Sequence, residues 1–435
     1  MFKLFQRQQT ELGGEVTPED KQELRTRLKA LKDELNQYLA GGYGINPVKK
    51  PDYRKWLDSH KPFHWFIEFY GILKNGGFDV IIGNPPFVEN TPSKVSYSLS
   101  QRTYSTLACG NLYAFVSERC FSLCNRQGLF SFIMPAASIC TPRMGPLLSA
   151  IHQRYALAWI SVWDERPTKL FDGVDQQLSI HVCKGSEALN STWITPMRHW
   201  SSEERESLFS TLSYVRLVNN ELVAGALPKL GLALEQGLLA KLRTEPHTLS
   251  GALMLDQGGS KVYYRNAGGR YWRLIKTFPT YFRSDAGATM SSTEKTFCVV
   301  RAQAALSVAL FSSSLFYWFW RISSNCRHLT DRELKAFPIA KPIFEQKNAT
   351  QLEHLSVKFE EQLKQTKQRQ TTENKRSGRV VQDIYFISTA KSIIDEIDRV
   401  LTKHYGFTDE ELDFIINYDI KYRMGRDSER KDNNL

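Results

Sequence analysis

Residues 84–87 read Asn-Pro-Pro-Phe and follow directly on Phe78 to Ile82, five residues with the composition of a buried strand. Two consecutive prolines remove two backbone donors and hold the first proline extended, so the chain cannot go on pairing and makes a stiff turn. Asn84 tolerates unusual backbone geometry, and its amide both donates and accepts. Its side-chain oxygen and the Pro85 carbonyl can together accept both hydrogens of an exocyclic amino group, while Phe87 can stack on a flat ring beside them. An amino group held in this way stays oriented and electron-rich, as an in-line methyl transfer from a sulfonium donor requires. No covalent enzyme intermediate is needed. The same four residues also suit a plain strand terminator, because short turn motifs recur without function.

The elements around this turn alternate. Thr17-Pro18 supplies a cap and first-turn proline for a helix with Leu24, Leu28, Leu31 and Leu35 on one stripe, ended at Gly41-Gly42. Gly76-Gly77 delivers the chain into the strand at Phe78. Asn111 to Cys124 has helical spacing, Gly128 to Met134 reads as a strand ended by Pro135, and Leu147 to Tyr155 as a helix, with strands at 157–163 and 177–183. Such alternation predicts an α/β fold with a mainly parallel sheet, whose chemistry lies on loops at the carboxyl ends of the strands. From about residue 191 short strands, aromatics and arginines take over and predict an α+β second domain. Residues 349–378 read as an exposed helix leading into a polar linker, and the end of the chain as helical again. The expected division is 1–59, a helical segment and linker; 60–190, the catalytic part; 191–345, the recognition part; and 346–435, a helical region.

With 435 residues, 42% of them hydrophobic, the chain can bury a large core. A net charge of +11 and a pI near 9.2 point to a polyanionic partner, nucleic acid first. The seven scattered cysteines suit reduced thiols in a cytoplasmic protein, and Cys120 with Cys124 lacks the further ligands that zinc needs. The apolar run Leu306 to Trp320 is too short to span a bilayer.

The Gly-Gly-Phe-Asp lead-in, the Val-Ile-Ile-Gly strand and the match of Asn84, Pro85, Pro86 and Phe87 to the pattern [DNS]-P-P-[YFW] together resemble the gamma-class adenine-specific DNA methyltransferases. The likeness is to those of single-chain restriction-modification enzymes and phage-defence methylases, and it extends to HKPFHWFIEFYGIL, GNLYAFVSERCFSLCNRQGLFSFIMP and FDGVDQQLSIHVCK. It implies the carboxyl-terminal strands of a Rossmann-like methyltransferase sheet, followed by a target-recognition domain. It implies S-adenosylmethionine as methyl donor, double-stranded DNA as partner, and an adenine flipped out of the duplex as target. By the same resemblance Asn111, Leu112 and Tyr113 border the cofactor and target pockets, and Phe171 helps hold the flipped base. Asn111 to Tyr113 also suit a helix start with core packing, and Phe171 a loop anchor.

Between residues 261 and 283 basic side chains alternate with aromatics around Gly268-Gly269, a pattern that suits a DNA-contacting hairpin or an ordinary charged surface. Arg265, Arg270, Arg273, Lys276 and Arg283 are the candidate contacts, and the resemblance adds Arg327 and His328. The family also implies a glycine-rich donor loop after a first strand. The nearest glycine cluster, Gly41-Gly42-Tyr43-Gly44, follows a helix and reads as its cap. The chain is therefore expected to begin just before the catalytic motif, with a partner subunit supplying the missing strands and donor loop. The alternative is a non-catalytic DNA-binding specificity subunit. A nuclease site at Glu333-Leu334-Lys335 is disfavoured against a helix-surface ion pair.

Overall fold

The computed structural model describes residues 17–97, 99, 104–186, 190–218, 221–245, 247–248, 254–255, 258–268, 271–339, 347–375 and 378–424. The chain divides into two units, one of residues 1–134, 146–157 and 182–190, the other of residues 135–145, 158–181 and 191–435. The class is α/β, with a sheet that contains parallel pairing.

In the first unit, helix α1 (Pro18–Gly42) opens on a reciprocal cap: the Thr17 hydroxyl accepts from the Asp20 N–H, and the Asp20 carboxylate accepts from the Thr17 N–H. The helix runs to Gly42 and is capped by Tyr43, so the glycine pair ends it where expected. Leu24, Leu28 and Leu35 are half-buried, while Leu31 is exposed. Helix α2 (Lys50–His60) buries Trp56 between the rings of Tyr43 and His60, with centroids 5.7 and 5.3 Å away.

The alternating stretch then runs β1 (Phe78–Gly83), α3 (Leu112–Leu123), β2 (Cys124–Pro135), α4 (Gly145–Arg154), β3 (Leu157–Trp163) and β4 (Leu178–Lys184). These ranges match the expected ones, except that β2 begins at Cys124 and so takes that cysteine off the helix. Strands β1 and β2 are parallel, with Val80 opposite Leu129 and Gly83 opposite Phe132, and the strand order of this unit is β1-β2-β4. The approach to β1 is tight. Gly77 sits at φ +110°, and a Cβ there would lie 2.4 Å from the Leu123 carbonyl oxygen, so only glycine fits.

In the second unit the strand order is β4-β3-β5-β6, with β5 (Ser191–Arg198) antiparallel to β6 (Val215–Arg216). Helix α5 (Ala233–Arg243) follows. A separate antiparallel sheet places β7 (Ser260–Arg265) between β8 (Ile275–Lys276) and a later strand; after β9 (Phe282–Ser284) that later strand is β10 (Glu294–Val299), which also pairs with Met254–Leu255.

The apolar run becomes two helices, α6 (Ala304–Ser312) and α7 (Ser314–Ser323), almost wholly buried, with a 66° bend between the segments Arg301–Ser312 and Ser314–Ser323. No single helix among the described residues is long and apolar enough to cross a membrane. The buried ends of α7 are satisfied by side chains: Asp398 accepts from the Ser314 and Leu315 N–H groups, and the Lys229 ammonium donates to the Ile322 and Ser324 carbonyls.

Helix α8 (Lys347–Thr366) leads into a β-hairpin, β11 (Gln368–Asn374) and β12 (Gly378–Ile384), before α9 (Lys391–Tyr405). The hairpin occupies the stretch expected as polar linker and belongs to a three-stranded sheet in the order β9-β12-β11. The strands carry few apolar residues because the sheet buries one face only, through Val380 and Ile384.

Candidate active site

The Asn84–Phe87 turn leaves the carboxyl end of β1, as the proline pair requires. Pro85 is buried, Phe87 half-buried and Asn84 exposed. Among the described residues the Asn84 amide meets no protein partner.

The chain beyond the turn is clamped to the start of α3. The Leu112 N–H donates to the Val88 carbonyl (2.9 Å), the Asn90 N–H donates to the Gly110 carbonyl (3.0 Å), and Glu89 bridges Asn111. Asn111 caps α3 with its side chain, and the Tyr113 ring stands edge-on to Phe87 at a centroid distance of 6.3 Å. Thus Asn111, Leu112 and Tyr113 lie beside the turn. Asn111 and Tyr113 are buried and Leu112 is half-buried, so they also serve the packing that the cap predicts.

A further residue, which the sequence reading did not single out, holds this clamp from behind. Glu118, one turn further along α3, accepts four hydrogen bonds: from the N–H and hydroxyl of Ser105 (2.9 and 3.0 Å) and of Thr106 (2.9 and 2.7 Å). Partial burial raises its pKa and the four donors more than offset that, leaving the carboxyl below the usual glutamate range. The residue sequence Ser105-Thr106 with an acid on a following helix is too common to have flagged it.

Phe171 belongs to the second unit, on the exposed loop between β3 and β4. Arg327 reaches that loop, its guanidinium 3.4 Å from the Asp175 carbonyl, and His328 is half-buried with its backbone bridged to Ala267.

The basic and aromatic run separates into surface and core. Arg283 is exposed. Arg265 is half-buried, its Nε donating to the Ala267 carbonyl at 3.0 Å. Arg270 lies outside the described residues. Arg273 and Lys276 do not present their charges at the surface, contrary to expectation. Arg273 is 3% exposed with its guanidinium 3.7 Å over the Trp320 ring, and Lys276 is 1% exposed and paired with Glu294 at 2.7 Å. Burial lowers the Lys276 pKa, and Glu294 partly restores it. Glu333 likewise makes no helix-surface pair with Lys335: it is buried, caps its own helix at Thr330 and pairs with Arg332.

The glycine cluster Gly41 to Gly44 does not form a cradle. A Cβ at Gly41, Gly42 or Gly44 would meet nothing within 4 Å, and the cluster closes α1. Gly41 to Gly44 thus serve the helix end and do not form a donor loop.

The sequence profile of the Eco57I restriction-modification methylase family matches residues 12–156. A protein of Methanocaldococcus jannaschii described as a type II restriction enzyme and methyltransferase is 70% identical over 27 residues, 6% of this chain and 2% of that one. Among solved structures, the Type IIL restriction-modification enzyme MmeI in complex with DNA is 11% identical, with a TM-score of 0.41, over 82% of this chain and 57% of MmeI. The Type ISP enzyme LlaBIII bound to DNA is 9% identical, with a TM-score of 0.33, over 69% of this chain and 32% of LlaBIII. In each case the chain spans less than two thirds of the relative's length. The segment that holds the Asn84–Phe87 turn and its clamp is thus similar to restriction-modification methylases.

Proposed function

We propose that this chain is the acceptor-holding and target-recognising part of a DNA (adenine-N6)-methyltransferase of restriction-modification or phage defence. The observation that carries the reading is the exposed Asn84 amide on a rigid proline turn, backed by Phe87 and clamped to Asn111–Tyr113. In this reading the Asn84 oxygen and the Pro85 carbonyl accept the two hydrogens of the adenine amino group. Phe87 stacks on the flipped ring, and Phe171 and the exposed arginines act on the DNA. The methyl group comes from S-adenosylmethionine. In this reading a partner polypeptide supplies the glycine-rich loop that holds the donor, because Gly41 to Gly44 close a helix instead.

The edge strand β1 supports a partner. It pairs with β2 alone among the described residues, and its Val80 and Ile82 are 56% and 78% exposed. An apolar edge so open is a template for another strand. The second reading is a DNA-binding specificity subunit without catalysis.

One experiment tests both. Methyl incorporation into duplex DNA is measured with the chain alone and with a polypeptide carrying a glycine-rich strand-loop-helix, for wild type and Asn84→Ala. Turnover should need the second polypeptide, and Asn84→Ala should lower it by about tenfold or more at nearly unchanged DNA affinity. Full activity in the variant removes the assignment, robust turnover by the chain alone removes the partner, and no methyl incorporation with or without the second polypeptide favours the specificity subunit.

A further inference from the structure

We propose that the outer face of the sheet β9-β12-β11 is a docking surface for the phosphate backbone of duplex DNA. The proposal rests on the function above only in taking duplex DNA as the partner. The register decides which side chains share the face: Arg283 stands opposite Val381, and Val381 opposite Thr371. Because side chains alternate along a strand, Arg379 on β12 and Arg369 on β11 point to the same side. The other side carries Ser284, Val380 and Ile384, all buried, so the arginine side is the outer one.

The charge on that face is surplus. Arg283 and Arg379 are exposed and carry no ion pair among the described residues. Arg369 is half-exposed, its guanidinium 3.9 Å over the Tyr281 ring and 2.8 Å from Asp383. Asp383 is itself shared with Lys367 at 2.7 Å, so one buried carboxylate serves two cations. Lys375 is exposed in the hairpin turn. Against these stand Glu373, opposite Arg379, and Asp285, whose carboxylate is turned back onto the Arg379 N–H at 2.9 Å.

Arg283 and Arg379 are diagonal neighbours on adjacent strands, a spacing of about 7–8 Å, close to the distance between neighbouring phosphates along one DNA strand. Two guanidiniums at that spacing fit neighbouring phosphates of one strand, with the Thr371 hydroxyl beside them on the third strand of the sheet. Contacts of this kind set orientation on the duplex without reading its sequence.

The test is the salt dependence of binding by the full chain to a labelled duplex of random sequence, followed by fluorescence anisotropy between 50 and 200 mM salt. For Arg283→Ala with Arg379→Ala, the slope of log affinity against log salt should become shallower by about 1.8, equal to about a 12-fold smaller loss across that range. Arg283→Lys with Arg379→Lys keeps the charge and should restore the wild-type slope, which separates the effect from misfolding. An unchanged slope in the alanine pair overturns the proposal. So does a change seen with a single-stranded RNA probe and not with the duplex. No methyl donor is present, so failure of the methyl-transfer reading leaves this result standing, and failure here leaves the chemistry of the turn standing.

Discussion

Replacing Glu118 with glutamine tests whether the clamp behind the turn depends on a charge. Thr106 is fully buried, and its N–H and hydroxyl both end on the Glu118 carboxylate, whereas the two Ser105 donors are exposed and can turn to water. Glutamine keeps one carbonyl oxygen for the Thr106 pair and points its NH2 at Ser105. A hydrogen bond to a charged acceptor contributes roughly 1 kcal/mol more than one to a neutral acceptor, so the Thr106 pair should weaken by about 2 kcal/mol. Glu118→Ala leaves two buried donors without a partner and should cost about 4 kcal/mol. The assay is hydrogen exchange of a peptide spanning residues 104–113 at neutral pH, with α4 as the internal reference. Glu118→Gln should speed exchange there about 30-fold, since each 1.4 kcal/mol is a factor of ten.

The pH dependence has a definite sign. The Glu118 carboxyl lies below its ordinary value in the folded chain, so its contribution is complete above the unfolded value of about 4.3 and is lost as pH falls through the depressed one. The gap between wild type and Glu118→Gln should therefore close in acid. A gap independent of pH, or none at neutral pH, would refute the reasoning.

Gly77→Ala should lower the urea midpoint more than Gly76→Ala: both glycines have φ above +100°, but only a Cβ at Gly77 strikes backbone, the Leu123 oxygen at 2.4 Å. Equal losses would mean that the contact relaxes freely. Burial pushes the Asp398 carboxyl up to about 6, against the lowering effect of the Ser314 and Leu315 donors, so the folded chain holds a proton there that the unfolded chain releases above about 3.9. Its contribution to stability thus declines as pH rises from about 4 to 6. The difference in unfolding midpoint between wild type and Asp398→Asn should change over that interval and level off on either side, and a constant difference would contradict it.

What the sequence by itself determined is what neighbouring residues settle among themselves. Two prolines after an apolar strand force a turn wherever the chain goes, Thr17 and Asn111 cap helices with their own side chains, and Gly77 marks a backbone that no other residue adopts easily. The turn, its strand and the helix that clamps it were legible for that reason. What only the tertiary structure decided is which charges remain outside. Arg273 and Lys276 sit in a run that alternates like a surface hairpin, yet Trp320 and Glu294, their partners, come from elsewhere in the chain and draw them inward. The hairpin of residues 368–384 has the opposite history. Its strand Gln368–Asn374 contains no apolar residue from which a period could be read, and it becomes a strand because β12 binds it along its whole length. Hydrogen-bond pairing and ion pairing between distant segments leave no local periodicity, so neither feature could be read along the chain.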